Sequence, residues 1–379
     1  MHIVILGTRG IPSRHGGFET FAQDLASFLV SRNHQATVYC QVEESGLARE
    51  DIWNGIRRVH ITAGKGPLGT IFFDWKAIRH SMREKDVVVL TLGYNTAILN
   101  VLYRLSSTPN IMNMDGIEWK RQKWTGPARA WFWFNEWCGA RVANHLVADH
   151  PEIGRHISRH TGSKKISVIP YGADQVTSAP LNLIHNYDLK SKKYHLIIAR
   201  PEPENYILEM VRAYSLRPRG IPLVVLGSYR RDCTEYQKAV LDAAGPEIRF
   251  LGPIFERPIV KALRFYARAY LHGHRVGGTN PSLVEALGAG NAVIAHNNRF
   301  NRWVAGEGAR YFESIEQLDQ LLESLNADSE QLMEMEQASR KRFCESFTQD
   351  KILTAYEDLL AQFCPIPAEV VFAPAMRRA

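Results

Sequence analysis

The 379-residue sequence contains no apolar run close to the roughly 20 residues that a membrane-crossing helix needs, so no spanning segment is expected. Its five cysteines (Cys40, Cys138, Cys233, Cys344 and Cys364) are odd in number, scattered, and never spaced as CxxC. That argues against a disulfide framework or a zinc site and for small buried hydrophobes. G-x-G-x-x-G is missing, which weakens a nicotinamide-dinucleotide reading. D-x-D is missing too, and with it the usual pattern for a diphosphate-bound metal, so neither a metal nor a cofactor is expected. No RNP, zinc-finger or helix-turn-helix signature accompanies the net charge of +7, so nucleic acid is not an expected partner. The opening MHIVILGTRG lacks a basic region and a small-residue cleavage site, and reads as a first strand rather than a signal peptide. A cytoplasmic protein is expected.

What is present is an ordinary globular composition, 45% hydrophobic and 22% charged, in a chain long enough for two domains. The first half alternates β-branched runs with helical spacing. Ile3–Leu6 precedes a helix carrying Phe18, Phe21, Ala22, Leu25, Phe28 and Leu29, and further strands are predicted at Thr37–Tyr39, Val59–Ile61, Val87–Leu90, Ile111–Asn113 and Leu146–Val147. Proline and glycine punctuate Ile166–Ala173, and the polar stretch Asp174–Lys193 opens a second domain. Strands are predicted there at Leu196–Ala199, Leu223–Leu226, Ile248–Leu251, Ala269–Leu271 and Ala292–Ala295. Strands separated by helices imply right-handed crossovers, hence two parallel, doubly wound α/β sheets whose ligands bind at the carboxyl ends of the strands. Near the end, Ile352, Leu353, Tyr356, Leu359, Leu360 and Phe363 mark an amphipathic helix.

Four segments carry candidate chemistry. The loop Gly7–Thr20 follows a strand and enters a helix; Gly16 and Gly17 either shape a turn or admit a phosphate, and Arg9, Arg14 and His15 tilt the loop toward an anion. In Leu271–Ala295 a strand, glycine loop, helix and strand succeed one another. Asn280 is placed as N-cap and Pro281 as first helical residue. Gly278, Thr279, Asn280 and Ser282 then offer donors at a positive helix end, flanked by His274 and Arg275. Glu285, one turn in, either steadies that first turn or accepts hydrogen bonds from ribose hydroxyls. After the strand ending at Ala199, Arg200 marks a turn that runs to Asn205. In the first domain Asp115 and Glu118 follow a strand; a carboxylate there can take a proton from a hydroxyl, while Asp115-Gly116 equally suits an Asx-type turn. Beyond it, Trp131–Trp137, flanked by Arg129 and Arg141, reads either as a core helix or as a membrane-interface segment.

The stretch around Glu285 resembles the nucleotide-sugar motif of retaining GT-B glycosyltransferases of family four. That motif has two glutamates seven residues apart around a glycine-rich loop. Glu285 matches the second; the first falls at Gly277. The loop GTRGIPSRHGGFET, the segment Asp115–Trp124 and the run GGTNPSLVEA resemble the rhamnosyltransferase subgroup of bacterial surface-polysaccharide synthesis, over essentially residues 1–360.

The resemblance implies two Rossmann-like domains facing across a cleft: an acceptor-binding domain at 1–172, a nucleotide-sugar domain at 173–345, a helix at 346–364 returning to the first domain, and a loose tail at 365–379. Taken as a helix on its own, 346–364 would instead lie outside the second domain. In the wider family an Arg and a Lys at the Arg200 turn neutralise the donor diphosphate; Arg200 matches the Arg, and Asn205 stands at the Lys position. His274, Arg275, Arg230 and Arg231 are candidates for the missing charge, the last two equally readable as solvated loop residues. Asp115, Glu118 and Arg200 are the candidate catalytic residues, and Arg9, His15, Asp115, Glu118 and Trp119 the candidate acceptor contacts, since the resemblance makes the first domain the acceptor-binding half. The implied reaction moves a sugar, rhamnose from dTDP-rhamnose, with retention, to a lipid-linked saccharide at the inner face of the cell membrane. A UDP- or GDP-hexose donor, or a sugar-nucleotide-binding subunit without turnover, are the alternatives.

Overall fold

The computed structural model describes residues 1–13, 16–42, 49–121 and 124–364. Arg14, His15 and the tail 365–379 therefore lie outside the described residues. The chain divides into two compact units. The first holds Met1–Lys120, Trp124–Ile169 and the residues from Leu353 on; the second holds Arg121 with Pro170–Ile352.

Unit 1 is built on an eight-stranded sheet: β1 (His2–Leu6), β2 (Gln35–Val42), β3 (Arg49–Trp53), β4 (Ile56–Thr62), β5 (Val87–Leu92), β6 (Asn110–Asn113), β7 (His145–Ala148) and β8 (Ile166–Val168). The order is β3-β4-β2-β1-β5-β6-β7-β8. Its central strands are predominantly apolar, as strands covered on both faces tend to be; all six residues of β5 are buried. The helices are α1 (Gly17–Ser31), α2 (Gly66–Ser81), α3 (Val101–Leu105), α4 (Gly126–Val142) and α5 (Pro151–Thr161). One expectation needs correcting: the sheet is not wholly parallel. β3 runs antiparallel to β4, joined by Asn54-Gly55, both at positive φ (50° and 79°), the conformation a two-residue hairpin turn requires.

Unit 2 carries a six-stranded, wholly parallel sheet: β9 (His195–Ile198), β10 (Leu223–Leu226), β11 (Ile248–Gly252), β12 (Ala269–His272), β13 (Ala292–His296) and β14 (Arg310–Phe312), in the order β11-β10-β9-β12-β13-β14. Around it lie α6 (Asn182–His185), α7 (Ile207–Ser215), α8 (Glu235–Asp242), α9 (Arg257–Phe265), α10 (Pro281–Gly288), α11 (Arg299–Ala305), α12 (Ile315–Ala327) and α13 (Ser329–Ser346). The last helix, α14 (Gln349–Ala361), starts in unit 2 and continues in unit 1. There Tyr356 packs on Phe21 and its hydroxyl accepts from Asn113 Nδ2 at 2.8 Å, and Glu357 pairs with Arg32 and His34.

Each sheet has one point where the winding direction reverses. In unit 1 it lies between β1 and β5, in unit 2 between β9 and β12. Crossovers leave such a point in opposite directions, so the loops beyond it open a crevice that helices do not fill.

Candidate functional site

In unit 2 the two loops at the reversal point are those the sequence singled out. The turn after β9 holds Arg200 and Asn205, and the loop after β12 holds His274 to Asn280. Asn205 is not a replacement cation waiting on a ligand. It is buried, and its Nδ2 donates to the Arg200 carbonyl at 2.8 Å while its Oδ1 pairs with His274 Nδ1. Asn205 thus ties the two loops together, its Oδ1 accepting from His274 Nδ1–H. Burial pushes His274 down to about 4, outweighing the opposing carboxylate of Glu204. It adds no charge near neutrality. Arg275 does: its guanidinium is exposed and lies 5.3 Å above the Tyr206 ring. Arg200 is exposed as well. Arg230 is paired with Asp232 of its own loop and Arg231 with Asp242 at the end of α8.

The start of α10 follows its expected capping but not its expected donor set. Asn280 Oδ1 accepts from Ser282 N–H at 3.0 Å, and Pro281 is the first helical residue. Leu283 and Val284 N–H both turn to the Asn280 carbonyl. The Ser282 hydroxyl points at the sheet end: it donates to the Ile198 carbonyl at 3.2 Å, lies 2.7 Å from the Tyr270 hydroxyl and accepts from Arg264 Nη2 at 3.1 Å. The Ser282 hydroxyl is therefore committed to the sheet end and Asn280 Oδ1 to the helix cap. Among the described residues the amides of Gly277, Gly278 and Asn280 make no hydrogen bond within the chain. They are the donors the loop leaves over, and Thr279 is buried between them. Gly277 has φ 111°, a conformation costly for any residue with a side chain. The backbone here suits glycine, not the glutamate of the wider motif.

Glu285 sits one turn into α10 with its side chain 46% exposed, paired with Arg264 of α9, which is 6% exposed. Arg264 is not among the residues that the sequence motifs single out.

In unit 1, Arg9 is exposed, and its backbone N–H reaches Glu19 in the first turn of α1 at 3.4 Å. Gly16 is the N-cap at φ 113° with no side-chain cap, and a Cβ on it would strike the Glu19 carboxylate. The anion at the start of α1 is therefore the chain's own, which counts against a phosphate there; Gly17 alone faces open space. His15 lies outside the described residues.

After β6, Asp115 adopts φ 49° and its N–H donates to Asn113 Oδ1 at 2.8 Å. The Asx-type turn is thus centred on Asn113, not on Asp115-Gly116. Tyr94, buried at the end of β5, fixes the next residues: its hydroxyl donates to the Gly116 carbonyl at 3.1 Å and accepts from Glu118 N–H at 2.8 Å. Glu118 Oε2 accepts from Trp124 Nε1 at 3.1 Å, and Trp119 Nε1 donates to Glu136 at 3.0 Å. The Trp119 indole N–H is thus committed internally. Buried Asp149 and His150, closing β7 before Pro151, are polar groups at a strand end that sequence reading passed over.

The Trp131–Trp137 stretch is α4, and core packing fails for most of it. Trp131, Trp133, Phe134 and Trp137 are all exposed, while Asn135, Glu136 and Cys138 face inward. Arg141 lies 3.9 Å over the Trp137 ring. On α2, Leu68, Phe72 and Trp75 are exposed too, with Arg79 4.9 Å over Trp75. Both helices pack against the short turn Ala97–Asn100. No helix among the described residues is long and apolar enough to cross a membrane.

A family model described as a domain of unknown function (DUF1972) matches residues 1–174. No curated protein matches the chain in sequence. In three dimensions the chain superposes on sucrose-phosphate synthase from Thermosynechococcus elongatus with a TM-score of 0.79 at 14% identity, over 95% of this chain and 98% of that one. The fold is GT-B. A second GT-B structure, Anabaena HepE in complex with UDP-glucose, matches with a TM-score of 0.75 at 14% identity over 96% and 100%. A third, a UDP-forming α,α-trehalose-phosphate synthase from Burkholderia vietnamiensis, matches at 0.72 and 9% over 96% and 100%. At such identities the likeness to these GT-B structures is one of fold.

Proposed function

We propose that the chain is a glycosyltransferase whose second unit binds a nucleoside diphosphate sugar. The observation that carries this reading is the reversal point of the unit 2 sheet. There the uncommitted amides of Gly277, Gly278 and Asn280 and the exposed cations Arg200 and Arg275 lie on two neighbouring strand-end loops, with the positioned carboxylate of Glu285 one turn into the helix that follows. Amides at a positive helix end with an arginine suit a diphosphate, and a carboxylate suits a pair of ribose hydroxyls. The GT-B structures it resembles include proteins named as bound to UDP-glucose or as UDP-forming.

In the reaction the bond between the anomeric carbon and the diphosphate breaks as the bond to the acceptor oxygen forms, with retention. Arg200 and the loop amides stabilise the charge that develops on the leaving diphosphate. Asp115 or Glu118, held in place by Asn113 and Tyr94, receives the acceptor's proton. The sequence motifs favour rhamnose from dTDP-rhamnose as the donor and a lipid-linked saccharide as the acceptor. The exposed aromatic and arginine side chains of α2 and α4 favour work at an anionic membrane surface.

The test is a thermal-stabilisation screen over dTDP-rhamnose, UDP-hexoses and GDP-hexoses, followed by donor hydrolysis. Stabilisation by dTDP-rhamnose above the others supports the reading; preference for a UDP- or GDP-sugar overturns the choice of donor; binding without hydrolysis or transfer points to a non-catalytic subunit.

A further inference from the structure

Away from the donor loops, unit 1 brings three potential metal ligands together. Glu136 of α4 is 2% exposed, and His156 and His160 lie one helical turn apart on α5. Their ligand atoms lie within 4.8 Å of one another. We propose that Glu136, His156 and His160 bind a divalent transition-metal ion of the zinc type.

His156 Nε2 is hydrogen-bonded to Glu136 Oε1 at 2.7 Å, and His160 Nε2 lies 3.4 Å from the same oxygen. A tetrahedral zinc bound at about 2.1 Å holds its ligands roughly 3.4 Å apart. His160 already stands at that separation, and His156 needs an outward shift of roughly 0.7 Å to reach it. The two rings are nearly perpendicular, at 84°, so both lone pairs can converge without the rings clashing. The other carboxylate oxygen, Oε2, accepts from Trp119 Nε1 at 3.0 Å. Metal-bound carboxylates are commonly fixed in this way by an outer donor, which leaves one oxygen for the ion. The histidines keep side-chain exposures of 12% and 22%, enough for entry and for a water as fourth ligand. His160 lies in the last turn of α5, where the helix dipole favours a cation. Two imidazoles and a carboxylate match zinc, cobalt or nickel rather than magnesium or calcium. Because Trp119 belongs to the segment carrying Asp115 and Glu118, a bound ion would brace that segment through Glu136.

The test is direct and independent of any transferase activity. Chelator-stripped full-length protein is titrated with zinc sulfate by calorimetry, and cobalt(II) binding is followed by its visible d–d absorption. One equivalent should bind, with the intense spectrum of a tetrahedral cobalt site and a raised Tm. His156→Asn and His160→Gln, both at partly exposed positions, should each weaken binding at least tenfold. Trp119→Phe should weaken it by about tenfold through the lost outer hydrogen bond. No stoichiometric binding, or affinity unchanged in both histidine variants, overturns the proposal.

Discussion

The nearly buried guanidinium of Arg264 is paired with the half-exposed carboxylate of Glu285, and the same guanidinium donates to Ser282 Oγ. One side chain on α9 thus sets the direction of a carboxylate on α10, which the helix dipole alone would leave to rotate. If Glu285 grips the ribose, Arg264 is its positioning residue. Arg264→Met should raise the donor KM about tenfold, worth ~1.4 kcal/mol, with little change in kcat. Thermal melting should show only a small loss, since Glu285 can be solvated and methionine fills the space. A large loss of Tm with unaltered donor KM would make the pair purely structural.

Arg200 and Arg230 separate two sources of diphosphate charge. Arg230 is fully exposed and already paired with Asp232. Arg200→Ala should lower kcat/KM about tenfold or more, the scale of a charge-assisted hydrogen bond. Arg230→Ala should leave it within about twofold, inside the range of ordinary surface changes. The reverse ranking in steady-state kinetics would move the diphosphate contact to the loop after β10.

Three histidines of unit 2 are held neutral by burial: His195 is pushed down to about 3, His274 to about 4, and His272 lies well below the usual value. Below pH 6.5 the unfolded chain takes up protons that the folded chain refuses, so stability falls as pH drops from 6.5 toward 4 and is fully present above 6.5. Each should contribute a loss of roughly 1–2 kcal/mol by pH 5. His274→Gln keeps a partner for Asn205 and should flatten the slope. Denaturant melts at pH 5 and 7 measure it; equal pH dependence of variant and parent would show that His274 is charged in the fold.

Much of this was legible in the sequence, and the failures have physical causes. The β-branched runs that became β1, β5, β10 and β13 are buried on both faces, so composition alone marks them. β3 was missed because it is a polar edge strand, although Asn54-Gly55 announced its hairpin. β8 and β14 are three residues each, too short for periodicity to register. The Asn280 cap and Pro281 follow from local chemistry and were readable. The engagement of the Ser282 hydroxyl by Ile198 and Tyr270 is not readable from local sequence, because both come from other elements. The Glu285–Arg264 pair was hidden for the same reason. On α4 the aromatics fall on several faces, so spacing left core and surface both open, and only packing against α5 and the Ala97–Asn100 turn decides.

The exposed rings of α2 and α4 predict reversible membrane binding. Basic residues near an anionic surface are worth about 1 kcal/mol each, screened over roughly 10 Å at 0.1 M salt. The protein should float with anionic liposomes at low salt and release as salt rises. Trp133→Ala combined with Trp137→Ala should lose most of the binding. Indifference to anionic vesicles at low salt would leave the two helices to another partner.

Calorimetric titration of dTDP-rhamnose into the parent and Glu285→Gln proteins tests most directly whether Glu285 and its neighbouring loops hold a nucleoside diphosphate sugar. Equimolar binding by the parent, weakened tenfold or more in the variant through loss of a charged acceptor worth about 1.5–3 kcal/mol, is the predicted result. Equal affinity in both proteins would contradict the ribose role of Glu285, and no binding of dTDP-, UDP- or GDP-sugars by the parent would contradict the account as a whole.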